Sequence, residues 1–254
     1  MPRIVQITDL HLRARAGARC RGVDTWDSLD RVLGAVHAHE PDLGIATGDL
    51  ADEPREPTYR PLHERLGRGP RVHVLPGNHD RCELVRSIFS SETGRFAETV
   101  GTWRLLGLDT STPRRVHGLI GSKQLEWLAA ELADGDRPVL LFMHHPPLRI
   151  GCWWLDKDLI RDVDALERVI GGSHRVRAIF TGHVHQEFLG RFAGVPVHTT
   201  PSTAYQFLPR TWVPARLDAL TPGYRLIELD GDGWSSRVHR LGLGSEVRKA
   251  AVGS

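Results

Sequence analysis

Residues 71–80 read Arg-Val-His-Val-Leu-Pro-Gly-Asn-His-Asp, an apolar run that stops at proline and glycine and continues into polar residues. A short apolar run bounded by turn-forming residues is typical of a strand buried inside a sheet. We therefore predict a strand at 71–75, followed at its carboxyl end by the motif Gly77-Asn78-His79-Asp80. Because open α/β sheets bind ligands at the carboxyl ends of their strands, this motif is a candidate site.

Four other stretches repeat this arrangement, with an apolar run followed directly by Asp or His. Each motif alone is weak, because turn acids and surface imidazoles are common. Together, five motifs in the same strand-end context indicate one shared site. The four further motifs are Thr8-Asp9-Leu10-His11, Gly48-Asp49, His144-His145-Pro146 and Gly182-His183-Val184-His185.

The remaining apolar runs predict a layered α/β domain, because strands alternate with helices along the chain. Further strands are predicted at 3–7, 43–47, 103–108, 138–143, 176–180, 195–198, 224–229 and 235–241. Helical spacing predicts helices at 26–39, 58–66, 83–89, 122–133 and 157–170, with Ser122 as the N-cap of the fourth. Strand signals dominate after Gly194, and we expect these strands to form a second sheet on the first. We expect one catalytic domain over 1–243 and a flexible tail over 244–254.

The composition limits the classes of binding partner and the cellular compartment that we expect. The chain has 254 residues, with 33 Lys and Arg against 31 Asp and Glu, for a formal net charge of +2. This balance argues against a nucleic-acid-binding surface. No apolar run is long enough to span a membrane, so we expect no membrane association. The first predicted strand begins at once, which leaves no room for a signal peptide, and the cysteines form no Cys-x-x-Cys pair. We therefore expect a cytoplasmic protein.

The five motifs supply enough nitrogen and oxygen donors for two divalent cations. If the Asp49 carboxylate bridges, the set provides four bonds to each ion. Two such ions would clamp a phosphoryl group and share a hydroxide as the nucleophile. Donors without a thiolate favour Fe²⁺ or Mn²⁺, with Zn²⁺ as the alternative. The seven side chains are those of Asp9, His11, Asp49, Asn78, His144, His183 and His185.

The order of these motifs resembles the calcineurin-like metallophosphoesterase superfamily. Within it, the sequence is most similar to the class III cyclic-nucleotide phosphodiesterases, which include bacterial enzymes acting on 3′,5′-cyclic AMP. The similarity runs from Arg3 to about Leu243. Outside the metal motifs it is carried by Gly22-Val23-Asp24-Thr25-Trp26, Gly151-Cys152-Trp153-Trp154-Leu155-Asp156, Thr200-Pro201-Ser202-Thr203, Gln206-Phe207, Pro222-Gly223-Tyr224-Arg225 and Val238-His239-Arg240-Leu241.

This resemblance implies a fold and a division of the ligands. The implied fold is a four-layer α/β/β/α sandwich with two mixed sheets. One metal would be held by Asp9, His11, Asp49 and His185. The other metal would be held by Asp49, Asn78, His144 and His183. Of the adjacent histidines, His144 is taken as the ligand, and His145 is left behind it or in the pocket wall.

The resemblance also implies roles around the metals. His79 would bind no metal and face the substrate phosphate, within reach of the leaving oxygen as a proton donor. Asp80 would belong to the catalytic set, and both Asp80 and Asp109 would orient imidazoles. The residues expected to bind substrate are His11, Asp49, Asn78, His79 and His185.

The implied reaction is hydrolysis of 3′,5′-cyclic AMP, or another cyclic nucleotide, to the 5′-monophosphate by the hydroxide that the two metals share. A homodimer is expected by analogy. The alternative within the superfamily is a glycerophosphodiesterase or a broad-specificity phosphoesterase. The alternative from another class is a catalytically silent metal-binding scaffold.

Overall fold

The computed structural model describes residues 1–89 and 94–242, and within these ranges the chain forms fifteen strands and five helices. The strands are β1 (Arg3–Ile7), β2 (Arg19–Cys20), β3 (Val23–Asp24), β4 (Leu43–Thr47), β5 (Val72–Leu75), β6 (Phe96–Val100), β7 (Trp103–Leu108), β8 (Val139–Met143), β9 (Val176–Thr181), β10 (Phe188–Phe192), β11 (Val195–Thr199), β12 (Gln206–Phe207), β13 (Leu217–Asp218), β14 (Gly223–Asp230) and β15 (Gly233–Arg240). The helices are α1 (Thr25–His37), α2 (Glu56–Leu66), α3 (Cys82–Phe89), α4 (Ser122–Ala133) and α5 (Val163–Gly171).

Eleven of the strands form two mixed sheets. The first sheet has the order β15-β14-β1-β4-β5, in which β1, β4 and β5 are parallel, β14 is antiparallel to β1, and β15 is antiparallel to β14. The second has the order β10-β11-β9-β8-β7-β6, with four parallel central strands and an antiparallel strand at each edge. The short strands pair separately as β2 with β3 and β12 with β13.

Three apolar clusters hold four layers together. Between the sheets, Phe142 and Phe180 are fully buried and stack with ring centroids 5.3 Å apart. The outer face of the first sheet packs on α1, α2 and α3 through residues such as Leu29. The outer face of the second sheet packs on α4 and α5 through Leu128 and Leu166. The predicted α/β/β/α sandwich with two mixed sheets is therefore confirmed, and burial on both faces explains the continuous apolar runs.

The strands predicted at 3–7, 43–47 and 103–108 have the observed bounds, but one expectation about the sheets is wrong. The strands predicted at 195–198, 224–229 and 235–241 do not form a second sheet with one another. Strand β11 joins the second sheet beside β9, whereas β14 and β15 extend the first sheet through pairing of β14 with β1. The edge strands β6 and β10 were not predicted, because half-exposed residues interrupt their apolar pattern.

The fourth helix spans the predicted 122–133, but its N-cap and the start of the fifth helix differ from the prediction. The fifth helix was predicted to begin at residue 157 but begins at Val163, and the residues before it form turns. The carboxylate of Asp162 accepts hydrogen bonds from the N–H groups of Ile120 and Gly121 and does not cap the helix. The predicted N-cap at Ser122 is wrong, since Gly121 occupies that position with φ of 80°. The expected tail at 244–254 lies outside the described residues. In the described part of the chain, no helix is both long and apolar enough to cross a membrane.

Candidate metal centre

The five motifs meet at one end of the sandwich, where parallel strands of both sheets end. Strands β1, β4 and β5 lead into three of the motifs, and β8 and β9 of the other sheet lead into the remaining two. The histidine and aspartate members form buried groups whose potential ligand atoms lie within 4.8 Å of one another. The structure thus brings together all seven predicted ligands, namely Asp9, His11, Asp49, Asn78, His144, His183 and His185.

Five of these seven residues adopt a left-handed backbone conformation. Residues other than glycine rarely have positive φ, and such strain is concentrated at functional sites. The turns after β1, β4 and β9 therefore hold these side chains in place at an energetic cost to the backbone. The φ values are 53° for Asp9, 46° for His11, 50° for Asp49, 71° for His183 and 52° for His185.

The glycines of the motifs are required by close packing. A Cβ on Gly77 would collide with the amide nitrogen and Oδ1 of Asp49 and lie 2.9 Å from its Cγ. One on Gly48 would lie 2.6 Å from Nδ1 of His144, and one on Gly182 would lie 2.8 Å from Oδ2 of Asp9. The motif glycines thus permit contact between loops that carry predicted ligands from different strands.

The first cluster of predicted ligands combines Asp9, His11 and His185. The Nε2 atoms of His11 and His185 are 3.0 Å apart, and Nε2 of His185 is 3.4 Å from Oδ1 of Asp9. Oδ2 of Asp49 lies 3.7 Å from Nε2 of His11. All four side chains are buried.

The second cluster surrounds the side-chain oxygen of Asn78. Oδ1 of Asn78 lies 3.0 Å from Nδ1 of His183 and 3.2 Å from Nε2 of His144. The same Nε2 lies 3.4 Å from Oδ1 of Asp49. Asp49 therefore directs one oxygen at each cluster.

Backbone carbonyls fix the orientation of two of the imidazoles. Nδ1 of His144 is 2.7 Å from the carbonyl oxygen of Thr47, and Nδ1 of His185 is 2.8 Å from that of Tyr205. A carbonyl only accepts, so each Nδ1 carries a proton and each ring turns its Nε2 inward. These Nε2 atoms face carboxylate, amide and imidazole groups of the other predicted ligands, an arrangement that a bound cation would stabilise. The donor set therefore fits divalent metals.

The charges around the centre also favour a bound cation. Burial disfavours the charged form of His144, but Asp49 outweighs it and raises the pKa of His144 to about 9. Although burial opposes ionisation of Asp49, His144 and His79 hold its pKa well below the usual range. Burial and neighbouring histidines lower the pKa of His11 and of His183, which keeps both neutral and able to bind metal.

His145 differs from His144 in having both ring nitrogens engaged by protein groups. Its Nδ1 is 2.8 Å from Oγ1 of Thr110, and its Nε2 is 2.8 Å from the carbonyl oxygen of Val116. Burial and the adjacent His144 lower the pKa of His145 to about 3. This geometry favours His144 as the ligand and leaves His145 behind it.

His79 lies at the exposed rim of the centre. Its backbone N–H donates to Oδ1 of Asp49 at 2.9 Å, and its ring meets the edge of the His11 ring at a centroid distance of 4.8 Å. A ring nitrogen of His79 also lies within 4.8 Å of ligand atoms of His11 and Asp49. His79 is thus both accessible to a substrate and next to the shared carboxylate.

Asp80 holds the surrounding backbone. Its carboxylate accepts from the N–H groups of Gly77 at 2.8 Å, Leu50 at 3.1 Å and Ala51 at 3.2 Å, and from the hydroxyl of Tyr59 at 2.9 Å. Burial and the nearby Asp49 raise the pKa of Asp80 to about 6. Asp80 therefore ties the Gly-Asn-His-Asp loop to the loop after β4.

In the described part of the chain, neither Asp80 nor Asp109 forms a hydrogen bond or ion pair with an imidazole. The carboxylate of Asp109 accepts from Ser111 at 2.8 Å and pairs with Arg86 at 3.2 Å. The expectation that Asp80 and Asp109 orient imidazoles is therefore wrong. The carbonyls of Thr47 and Tyr205 do this for two of the rings, and sequence could not reveal it because a backbone carbonyl has no residue signature.

Sequence reasoning also missed an aromatic pair beside the first cluster. Tyr205 and Phe207 are buried, and their ring centroids lie 4.9 and 4.5 Å from that of His185. Tyr205 is also 5.2 Å from His11. The only available signal was that Phe207 falls in a stretch similar to the phosphodiesterases.

The profile of the calcineurin-like phosphoesterase family matches residues 2–187, and the chain belongs to this family. The family is hydrolytic, and its members use a pair of divalent metals.

The chain is also similar over almost its whole length to individual phosphodiesterases. It is 40% identical to the 3′,5′-cyclic adenosine monophosphate phosphodiesterase CpdA of Escherichia coli K12, covering 94% of this chain and 90% of that protein. It is 35% identical to CpdA of Pseudomonas aeruginosa, covering 91% and 86%. It is 32% identical to a 3′,5′-cyclic-nucleotide phosphodiesterase of Nostoc, covering 94% and 92%.

Solved structures share the fold at low sequence identity. A dimetal phosphatase from Danio rerio superposes with a TM-score of 0.69 at 14% identity, covering 94% of this chain and 96% of that one. A purple acid phosphatase from yellow lupin gives a TM-score of 0.60 at 14% identity, covering 89% and 49%. At this identity the likeness establishes the fold alone.

Proposed function

We propose that this protein hydrolyses 3′,5′-cyclic AMP to 5′-AMP at two divalent cations held by the strand-end motifs. The position of Asp49 carries the proposal, because its two oxygens face two different groups of metal-binding side chains. A carboxylate shared in this way suits a two-metal phosphoesterase centre. The substrate is inferred from relatives at 32% to 40% identity that are named as cyclic-nucleotide phosphodiesterases.

The donor set supports one assignment of the ligands. One cation is assigned Asp9, His11, Asp49 and His185, and the other is assigned Asp49, Asn78, His144 and His183. When bound, the cations supply a nucleophilic water near neutral pH and neutralise charge on the phosphoryl oxygens. Inward-facing imidazole nitrogens together with carboxylate and amide oxygens, and no thiolate in the set, favour Fe²⁺ or Mn²⁺, with Zn²⁺ as the alternative.

The protein itself contributes a proton and a fixed geometry. As the oxygen of water bonds to phosphorus and the P–O3′ bond breaks, the 3′ oxygen gains negative charge and needs a proton. We assign this donor to His79, which is exposed at the rim and fixed through its backbone by Asp49. Asp80 holds the loop of His79 and acts as a positioning residue. The remaining residues proposed to face the substrate are His11, Asp49, Asn78 and His185.

The test is a substrate panel on protein that has been stripped of metal and reloaded. We expect chelation to abolish activity, Mn²⁺ or Fe²⁺ to restore it, and cyclic AMP to be preferred over cyclic GMP, a glycerophosphodiester and a phosphomonoester. Preference for the glycerophosphodiester or monoester would replace the proposed substrate. Metal binding without turnover would favour a scaffold, and full activity in protein shown to be metal-free would refute the metal centre.

Three further expectations belong to the same proposal. They are a cytoplasmic location, a homodimer and one catalytic domain over 1–243. Each stays a prediction, to be checked by cell fractionation, by light scattering and by limited proteolysis.

A further inference from the structure

We propose that Arg21 binds the base of the nucleotide whose phosphate lies at the metal centre. This inference rests on the proposed function and adds a subsite to it. Arg21 is at the tip of the hairpin formed by β2 and β3, a segment that carries no metal ligand.

The backbone at Arg21 is unfavourable for an arginine. Arg21 and Gly22 are the two central residues of the hairpin turn and have φ values of 48° and 87°. A two-residue turn with positive φ at both positions favours Asn or Asp followed by Gly. Arginine at the first position therefore costs backbone energy, as is common where a side chain serves a ligand.

The guanidinium lies over the aromatic pair beside the first cluster. Its central carbon is 5.6 Å from the ring centroid of Tyr205 and 5.5 Å from that of Phe207. These distances fit cation–π contact, which restrains an otherwise flexible side chain. Arg21 is nevertheless exposed, so part of its guanidinium faces solvent.

The aromatic pair links Arg21 directly to the metal ligands. Tyr205 and Phe207 both contact His185, and Tyr205 also contacts His11. The same two rings therefore contact both the guanidinium and the predicted ligand imidazoles. In a nucleotide, the ribose likewise connects the phosphate to the base.

The charge of Arg21 remains available for a ligand. Within residues 1–89 and 94–242, no carboxylate forms an ion pair with it, whereas Arg13, earlier in the same loop, pairs with Asp52 and Glu53. A guanidinium can stack on a base through its plane and donate from its edge to ring nitrogens or carbonyls. The chemistry thus matches a nucleobase.

The test compares binding of 5′-AMP and of ribose 5-phosphate to the Mn²⁺-loaded protein by titration calorimetry. The main variant is Arg21→Asn, because asparagine is favoured at this position of the turn. We expect Arg21→Asn to weaken 5′-AMP binding about tenfold, to leave ribose 5-phosphate binding unchanged and to melt no lower than wild type. Arg21→Lys keeps the charge but loses the planar stack, so most of the loss should remain. Arg31→Met on the exposed side of α1 is the charge-matched control and should behave as wild type.

Unchanged 5′-AMP affinity in Arg21→Asn would overturn the proposal. An equal loss for both ligands would also overturn it, because the residue would then act on the phosphate or on the fold. Wild-type affinity in Arg21→Lys would show that charge alone acts and would overturn base stacking. The subsite and the proposed reaction can fail separately. If wild-type protein does not hydrolyse cyclic AMP but Arg21→Asn still weakens 5′-AMP binding and not ribose 5-phosphate binding, the subsite is supported and the proposed reaction is refuted.

Discussion

Gly77→Ala should disrupt both metal sites at once, although Gly77 is not a ligand. The added methyl group would lie 2.9 Å from Cγ of Asp49 and closer still to its amide nitrogen and Oδ1. The amide belongs to a backbone that is already strained, with φ of 50° at Asp49, so the loop cannot shift freely. Overpacking of this kind typically costs about 1–3 kcal/mol, and here the displaced group is the carboxylate proposed to bridge the cations.

The assay is thermal unfolding with and without Mn²⁺, together with elemental analysis of metal content. Binding to the folded state alone stabilises a protein by about 2.7 kcal/mol at a hundredfold excess over Kd. We expect wild type to show such a metal-dependent rise in Tm and Gly77→Ala to lose most of it. The control is Gly34→Ala in α1, where an added methyl group meets no atom within 4 Å. If Gly77→Ala retains two ions per chain and normal turnover, the packing argument is refuted.

Two further predictions concern individual histidines. His79→Ala should keep both metals but slow cyclic AMP turnover by roughly 10²–10⁴, with a smaller loss on a nitrophenyl diester whose leaving group needs no proton; equal losses on both substrates would contradict the acid role. Burial and Arg225 lower the pKa of His198 to about 3, so its folded form stays neutral while the unfolded chain takes up a proton below pH 6.5. The free energy of unfolding should therefore fall as the pH drops from about 6.5 towards 3. Measured by urea unfolding, its decrease between pH 7 and pH 5 should be smaller in His198→Phe by about 1–2 kcal/mol. Identical pH dependence in the two proteins would count against this reasoning.

The central strands could be predicted from sequence because burial on both faces leaves continuous apolar runs. Strand β4, for example, is buried at all five positions. Strand β10 has exposed residues at Leu189 and Arg191 on either side of Gly190, so its local sequence resembles a loop. The sheet to which β14 belongs is decided by pairs such as Arg3 with Glu228, which no local pattern reveals.

The candidate site also has a part that the sequence predicts and a part that it does not. The residue types and their order after each strand were enough to single out seven side chains that the fold then brings together. The groups that orient them were not visible, because the carbonyls of Thr47 and Tyr205 act through the backbone. Arg21 was missed for a related reason, since it reaches the site through rings that lie far away in the chain.

The most direct test of the two-cation centre is the metal content and turnover of Asp49→Asn beside His185→Ala. Wild-type protein reloaded with Mn²⁺ should hold two ions per chain. Because Asp49 directs one oxygen at each cluster, Asp49→Asn should lose occupancy at both sites and lose turnover with it. His185→Ala removes a proposed ligand from only one site and should retain the other ion. Two tightly held ions and near-normal turnover in Asp49→Asn would contradict a shared carboxylate at the centre of the reaction.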